Sequence, residues 1–388
     1  MLSRLASSAL LSASLSLMAC AREAMPTRVE QRRLVPTLRI GSETAGAAYM
    51  FTTIRQVVAS DSEVFVLPAE TPEIRVFGAD GRHRRTIGRR GAGPGEFDAV
   101  TAIGLVGDTL WTLDSNLRRV TLFRANGELL TTARLETMSP EVGSHGRFYF
   151  FYPMAMLRDG ALVGFGGTTG RAIAAGEVTA LPLLRVPTSA GAADTIGWVP
   201  IGHEHLILRS TRGTMYRAQP FADAPLTAYA PSTGQVFVVE RYAAREEGRA
   251  SVRVTALGMK GDTVWSRTLP YRARRLDTGV VDSVRAHLTR VLASRYPADE
   301  IERSLFVPTF RPPITDVLAG ADGSLWIGWD SPERIRRFTM LTAGGHAALE
   351  IEGPADILLL WAGDGVAWGQ MLDEDDVPTL VRFRIVPS

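Results

Sequence analysis

The sequence predicts an all-β fold, a six-bladed β-propeller closed by an N-terminal strand, with a small helical insertion near residues 277–305. Three observations carry this. A unit of four short apolar strands separated by turns recurs six times along the chain. The sixth unit reaches Ser388 one strand short, and a strand of matching character stands near the N-terminus. Glycine (37) and proline (22) are abundant, as a turn-rich all-β chain requires.

The third strands align best: Ile74–Phe77, Val120–Phe123, Leu183–Val186, Ser251–Val254, Ile335–Phe338 and Leu380–Phe383. Several alternate apolar and polar residues, the period of a strand with unlike faces. The second strands precede them, at Val64–Leu67, Thr109–Leu113, Ala161–Phe165, Gln235–Val239, Ser324–Ile327 and Gly365–Trp368. Most follow Asp or Gly turns, which suit tight hairpins because these residues tolerate positive φ. Inner strands fall at Gln56–Ala59, Ala102–Val106, Met154–Leu157, Leu226–Ala230, Ile314–Leu318 and Asp356–Leu360. Outer strands fall at Arg84–Ile87, Leu129–Arg134, Asp194–Val199, Val264–Leu269 and Ala347–Ile351. The missing sixth is expected from Thr37–Ser42, which would remove the open sheet edges that invite aggregation.

Extra length falls near residues 136–152, 200–220 and 271–313, always between an outer strand and the next inner strand. Such connections share one face of a propeller, and long loops are where function usually sits. In the third insertion Val280, Val284, Leu288, Val291 and Leu292 recur at helical spacing after a cap at Asp277 or Thr278, and Pro297 opens a second short helix.

Residues 1–20 read as a signal segment, with Arg4 ahead of an apolar stretch too short to span a bilayer. It ends Leu17-Met18-Ala19-Cys20, similar to the lipobox of bacterial lipoproteins. The resemblance implies lipidation at Cys20, and Ala21 after it implies the outer membrane; the other reading is a plain signal peptide with a chance cysteine. Residues 21–36 are polar and read as a tether, and 37–388 as the propeller domain. With 43 basic and 41 acidic residues, no polybasic patch calls for nucleic acid. The single cysteine excludes disulfides within the chain and cysteine-based metal sites.

Residues 86–130 carry Gly88, Gly91, Gly93-Pro94-Gly95-Glu96-Phe97, Leu110-Trp111, Asp114, Asn116 and Val120–Phe123, and this segment resembles the NHL repeat. The chain also resembles six-bladed propeller lipoproteins of environmental and Bacteroides-like bacteria. The full motif covers one unit, with a weaker echo at Ser324–Phe338. The resemblance implies a binding module for protein, RNA or envelope ligands, or, as in a few relatives, a lyase or lactonase with a metal in the central channel.

The candidate ligand face gathers Arg89 and Arg90 in the glycine-rich loop, His203, His205, Arg209, Arg212 and Tyr216 in the second insertion, and Tyr271 and Arg274 in the third. Guanidinium forks beside aromatic rings suit carboxylates, phosphates and anionic glycans. The glycine-rich run leads into a strand, so it is not a phosphate cradle. Asp114 and Asp330 are expected at equivalent turn positions. His203 and His205 would share a face if extended, a two-ligand start to a metal site. GxSxG, Walker and HExxH patterns are absent, and no catalytic residue or cofactor is singled out. The reading is therefore a monomeric, envelope-anchored platform for a protein, peptide or glycan. The alternative is a metal-dependent hydrolase or lyase at the central channel.

Overall fold

The computed structural model describes residues 29–42, 44–135, 148, 150–169, 172–173, 175–188, 193–210, 213–241, 248–331 and 334–388. Signal segment, Cys20 and Arg212 lie outside these residues. After β1 (Glu30–Ile40), blade 1 is β2–β5 (Ile54–Ala59, Glu63–Pro68, Ile74–Gly78, His83–Ile87) and blade 2 is β6–β9 (Val100–Val106, Thr109–Asp114, Arg119–Arg124, Leu129–Arg134). Blade 3 is β10–β13 (Phe150–Met156, Leu162–Gly167, Ala180–Val186, Asp194–Pro200). A hairpin, β14–β15 (His205–Ser210, Gly213–Ala218), precedes blade 4, which is β16–β19 (Leu226–Ala230, Gln235–Glu240, Gly248–Leu257, Thr263–Ala273). Helices α1 (Thr278–Leu292) and α2 (Ala298–Ser304) lead to blade 5, β20–β23 (Ile314–Ala319, Leu325–Trp329, Ile335–Leu341, Ala347–Pro354). Blade 6 is β24–β26 (Leu358–Gly363, Val366–Leu372, Pro378–Pro387) completed by β1. The all-β, six-bladed expectation is borne out. No helix among the described residues is long and apolar enough to cross a membrane.

The core is a circle of junctions. Phe65 and Ile74 of blade 1 meet Ile103 and Phe123 of blade 2, and Trp111 and Val120 of blade 2 meet Met156 and Leu184 of blade 3. The sequence continues around to Val64 and Phe77 of blade 1 against Trp368 and Leu380 of blade 6. Each second strand is sandwiched between two neighbours, so it reads as an apolar run: Val64 to Leu67 are all buried. At Gly88, φ is +77°, and a Cβ would stand 2.0 Å from the Phe97 ring. Glycine there lets Phe97 fill the junction of blades 1 and 2, which gives the Gly-Pro-Gly-Glu-Phe loop a packing role.

Two expectations need correction. The closing strand starts at Glu30, not Thr37, so residues 30–36, read as tether, are strand. They are polar because this is the outermost strand, with only Leu34 and Ile40 buried. A bulge between Pro36 and Leu38 turns the strand over. Leu34 therefore packs toward blade 5 and Ile40 toward blade 1. In addition Glu30–Arg33 pair in parallel with Leu349–Glu352, joining blades 5 and 6 into one eight-stranded sheet. The second correction concerns α1. Asp277 caps it, accepting from the Val280 N–H at 3.1 Å. Its buried stripe is Val281, Leu288 and Leu292, while Val291 faces solvent.

Blade 5 holds a chain of polar groups. Trp329 Nε1 donates to Thr339 Oγ1 at 2.8 Å, and Thr339 Oγ1 donates to Glu350 Oε1 at 2.7 Å. Burial pushes the Glu350 carboxyl above its ordinary value, against the opposing pull of the Thr339 hydrogen bond and Arg337. With the folded value above the unfolded one, stability falls as pH rises through that window, and the cost is fully present above the folded value. Glu350→Gln keeps an acceptor without the charge. It is expected to raise the melting temperature near about pH 8, the gain vanishing toward about pH 4. Thermal denaturation at both values checks this; a lower melting temperature at the higher pH would show that the carboxylate's bonds outweigh its burial.

Candidate functional site

The second and third insertions, read as separate loops, fold together. In β14, Leu206 and Leu208 point inward and meet Leu288, Leu292, Ile301 and Leu305 of the helical segment. None of the buried residues in this cluster belongs to a blade. Polar bonds tie the same pieces: Ser304 Oγ donates to the Ile207 carbonyl at 2.8 Å, and the Arg209 N–H to Glu300 Oε1 at 2.9 Å. Gln219, just past β15, grips the helical segment twice, donating to the Ser304 carbonyl at 2.7 Å and accepting from the Phe306 N–H at 3.2 Å. The result is an accessory unit carried by the two connections that flank blade 4.

The period of two in β14 fixes what this unit shows to solvent. With the leucines inward, His205, Ile207 and Arg209 face outward, and the register places Thr214, Tyr216 and Ala218 beside them. The His205 and Tyr216 rings meet edge to face at 6.4 Å. Tyr216 is 47% exposed, and among the described residues no carboxylate pairs with the Arg209 guanidinium.

His203 does not join that surface. Its ring lies flat on Phe306, centroids 3.6 Å apart, and its Nδ1 is 3.1 Å from Asp223 Oδ2. Its backbone N–H also donates to Asp223 at 2.6 Å. It is a joint between the accessory unit and blade 4, so the two histidines do not converge on one metal. Arg274 is likewise engaged: with Arg311 it clasps the Asp330 carboxylate, at 2.5 and 3.2 Å. The Tyr271 ring stands against Trp329 at 6.3 Å. Arg89 pairs with Glu96 at 2.8 Å and Arg90 with Asp98 at 3.8 Å, on the blade 1 to blade 2 connection. The Glu96 carboxyl is held below its usual value by the Gly93 N–H and then by Arg89. In a six-membered ring that connection stands opposite the one between blades 4 and 5. The eight of the nine that are described therefore form no single patch; His205, Arg209 and Tyr216 are the ones brought together.

The expected equivalence of Asp114 and Asp330 fails by one residue. Asp114 pairs with Val100, as Trp329 pairs with Ile314. The Ser115 N–H reaches Ala99 just as that of Asp330 reaches Pro313. Asp114 is 1% exposed and accepts from the N–H groups of Asp98, Ala99 and Leu117, a turn-building role.

Sequence reasoning named the central channel as the place of an alternative metal site but identified none of its lining residues. Its half nearer the turns between inner and second strands encloses about 430 Å³, lined by inner-strand residues of all six blades. The wall is mostly aliphatic, with Trp111, Tyr229 and Trp361 as aromatic panels and Arg158 as the single charged lining residue. Gln56 staples blades 1 and 2 there, donating to the Ile103 carbonyl at 2.8 Å and accepting its N–H at 2.9 Å. Among the described residues no three His, Cys, Asp or Glu side chains are placed to hold a metal ion.

Fold and surface thus define a six-bladed propeller with an accessory unit on one face. Residues 46–161 match a family model described as a 6-bladed β-propeller, DUF5128. No curated protein matches the chain. Among solved structures, the chain is similar to a DUF4221-family member from Bacteroides vulgatus, at 10% identity and TM-score 0.48, over 93% of this chain and 100% of that one. It is also similar to regucalcin, a calcium-binding protein from Agrobacterium tumefaciens, at 11% identity and TM-score 0.39, over 92% and 96%. A streptogramin B lyase is similar at 10% identity and TM-score 0.40, over 90% and 97%. None of these likenesses carries a function to this chain.

Proposed function

We propose that this protein is an NHL-like, envelope-anchored binding platform, and that the outward face of the β14–β15 hairpin receives an acidic segment of a protein or peptide, or an anionic glycan. One observation supports this above others: two insertions about seventy residues apart in sequence fold into one unit that presents His205, Arg209 and Tyr216 to solvent. A guanidinium offers paired donors to a carboxylate or sulfate, and the tyrosine ring offers a flat face to a sugar or an aliphatic side chain.

The test is biolayer interferometry of residues 21–388 against uronate-rich oligosaccharides and acidic peptides. Joint replacement Arg209→Ala and Tyr216→Ala is expected to weaken the bound class about tenfold or more. Unchanged binding in that variant, or no binding by either class, would overturn the reading. A metal-dependent hydrolase or lyase at the channel has no set of ligands among the described residues in its favour.

The reading includes a lipid anchor at Cys20, with the polar residues that follow spanning from lipid to β1. Cys20→Ser is expected to move the protein from the detergent-requiring membrane fraction into the soluble fraction. Continued membrane fractionation of that variant would remove Cys20 as the anchor.

A further inference from the structure

The channel cavity is independent of the hairpin surface. It opens at the end where the inner strands turn into the second strands, whereas both insertions emerge at the opposite end, where outer strands lead into inner ones. Its rim includes exposed Gly107, Arg158, Ser232 and Ala321, so it is open to solvent. At about 430 Å³ it falls within the range of small-molecule sites, roughly 300–1,000 Å³.

The polar groups in this wall are unusual in kind. Trp265, Trp326 and Trp329, elsewhere in the propeller, each donate their indole N–H to an oxygen. Trp111, only 4% exposed, has no acceptor for its N–H among the described residues. Its indole nitrogen lies where a Cβ on Gly104 would stand, 2.4 Å away, and both residues line the cavity. Glycine at 104 is what gives the indole its place in the wall. The Tyr229 hydroxyl and the Arg158 guanidinium also have no acceptor among the described residues. Burial pushes the Tyr229 phenol up to about 12, so it stays neutral and keeps its proton to donate. These donors are accessible from the channel, where a bound acceptor can meet them.

Asp159, in a neighbouring turn, is the carboxylate whose charge reaches Tyr229, where it opposes Arg158. Asp159 accepts from Arg185 at 2.5 Å and from the Ala161 N–H at 3.0 Å. Asp322 and Asp364 line a separate groove between blades 5 and 6. Asp61 and Asp108 are exposed, and neither lines the cavity.

We infer that the turn-side half of the channel is a binding site for a small carboxylate with an aromatic or branched aliphatic body. The body fills the space among Trp111, Trp361 and the aliphatic wall. The carboxylate accepts from Arg158 and Tyr229, two lining groups close enough for the Arg158 charge to be felt at the Tyr229 hydroxyl. Apolar contact supplies most of the affinity, and the guanidinium selects anion over neutral analogue.

The experiment is calorimetric titration of residues 21–388 with aryl alkanoates from benzoate to 4-phenylbutyrate, with 4-methylvalerate, and with the matching neutral amides. At least one carboxylate is expected to bind one to one with Kd below about 1 mM, and its amide about tenfold more weakly. Arg158→Ala, a change at an exposed position, is expected to erase the preference for the carboxylate. Arg209→Ala with Tyr216→Ala should leave this binding unchanged, which separates it from the hairpin surface. No binding by any carboxylate, or equal binding of acid and amide by the unaltered protein, would overturn the inference.

Discussion

Removing β1 is expected to abolish the soluble, cooperatively folded state. Residues 41–388 should appear in inclusion bodies, or in solution without a sharp thermal transition. Three losses coincide at this strand. Antiparallel pairing with β26, from Arg32 opposite Pro387 to Ile40 opposite Leu380, disappears. Parallel pairing with β23 at Glu30–Arg33 disappears too, so two strand edges are bared at once. Leu34 and Ile40 leave two different blade junctions, a loss of about 3–6 kcal/mol from apolar burial alone. That is comparable with the whole stability of many domains, roughly 5–15 kcal/mol. Expression of the truncated chain followed by circular dichroism melting decides it, and adding a synthetic peptide of residues 29–42 should restore solubility in part. A soluble truncated protein with an unchanged transition would mean that blades 5 and 6 hold without their seam.

The propeller was legible because each blade repeats the same local chemistry: an apolar run between two turns, with Gly or Asp where φ turns positive. Only half of β1 was legible. Its first residues, Glu30–Arg33, bury little, so composition alone made them a tether. The bulge beyond Pro36 also breaks the period by which Leu34 and Ile40 would have been read together. The β14–β15 hairpin was missed because its apolar partner is not a sheet but two helices some eighty residues later, so two inward leucines among polar neighbours gave a faint signal. His203 and Arg274 lie in connections between blades, whereas Tyr271, expected in the third insertion, belongs to β19. Whether such a group faces solvent or a carboxylate such as Asp223 or Asp330 depends on chain distant in sequence or on local folding. The channel site was the least legible part. Its members come one short stretch at a time from six inner strands, and they share a space only after the ring closes.

Ile301→Asp is expected to unfold the accessory unit while leaving the propeller standing. Ile301 is 0% exposed at the centre of a cluster drawn from the hairpin and both helices. An ionised carboxylate placed there has no cation in the cluster to meet it, and the cost of several kcal/mol exceeds what so small a unit can absorb. The blade junctions draw on other residues, so the main thermal transition should move by only a few degrees, since one kcal/mol shifts a large domain by roughly 2–4 °C. Hydrogen exchange should rise across residues 203–219 and 277–306, with protection retained in β2–β4 and β24–β26. Trypsin should then cut at Arg209 or Arg285, sites otherwise held in a strand and a helix. Because the hairpin face depends on Leu206 and Leu208 being anchored, ligand binding through Arg209 and Tyr216 should be lost as well. Carboxylate binding in the channel, built by the inner strands, should survive. Loss of both together, with collapse of the main transition, would instead make the accessory unit an integral part of the propeller, and the hairpin could then no longer be treated as a surface added to a self-sufficient ring.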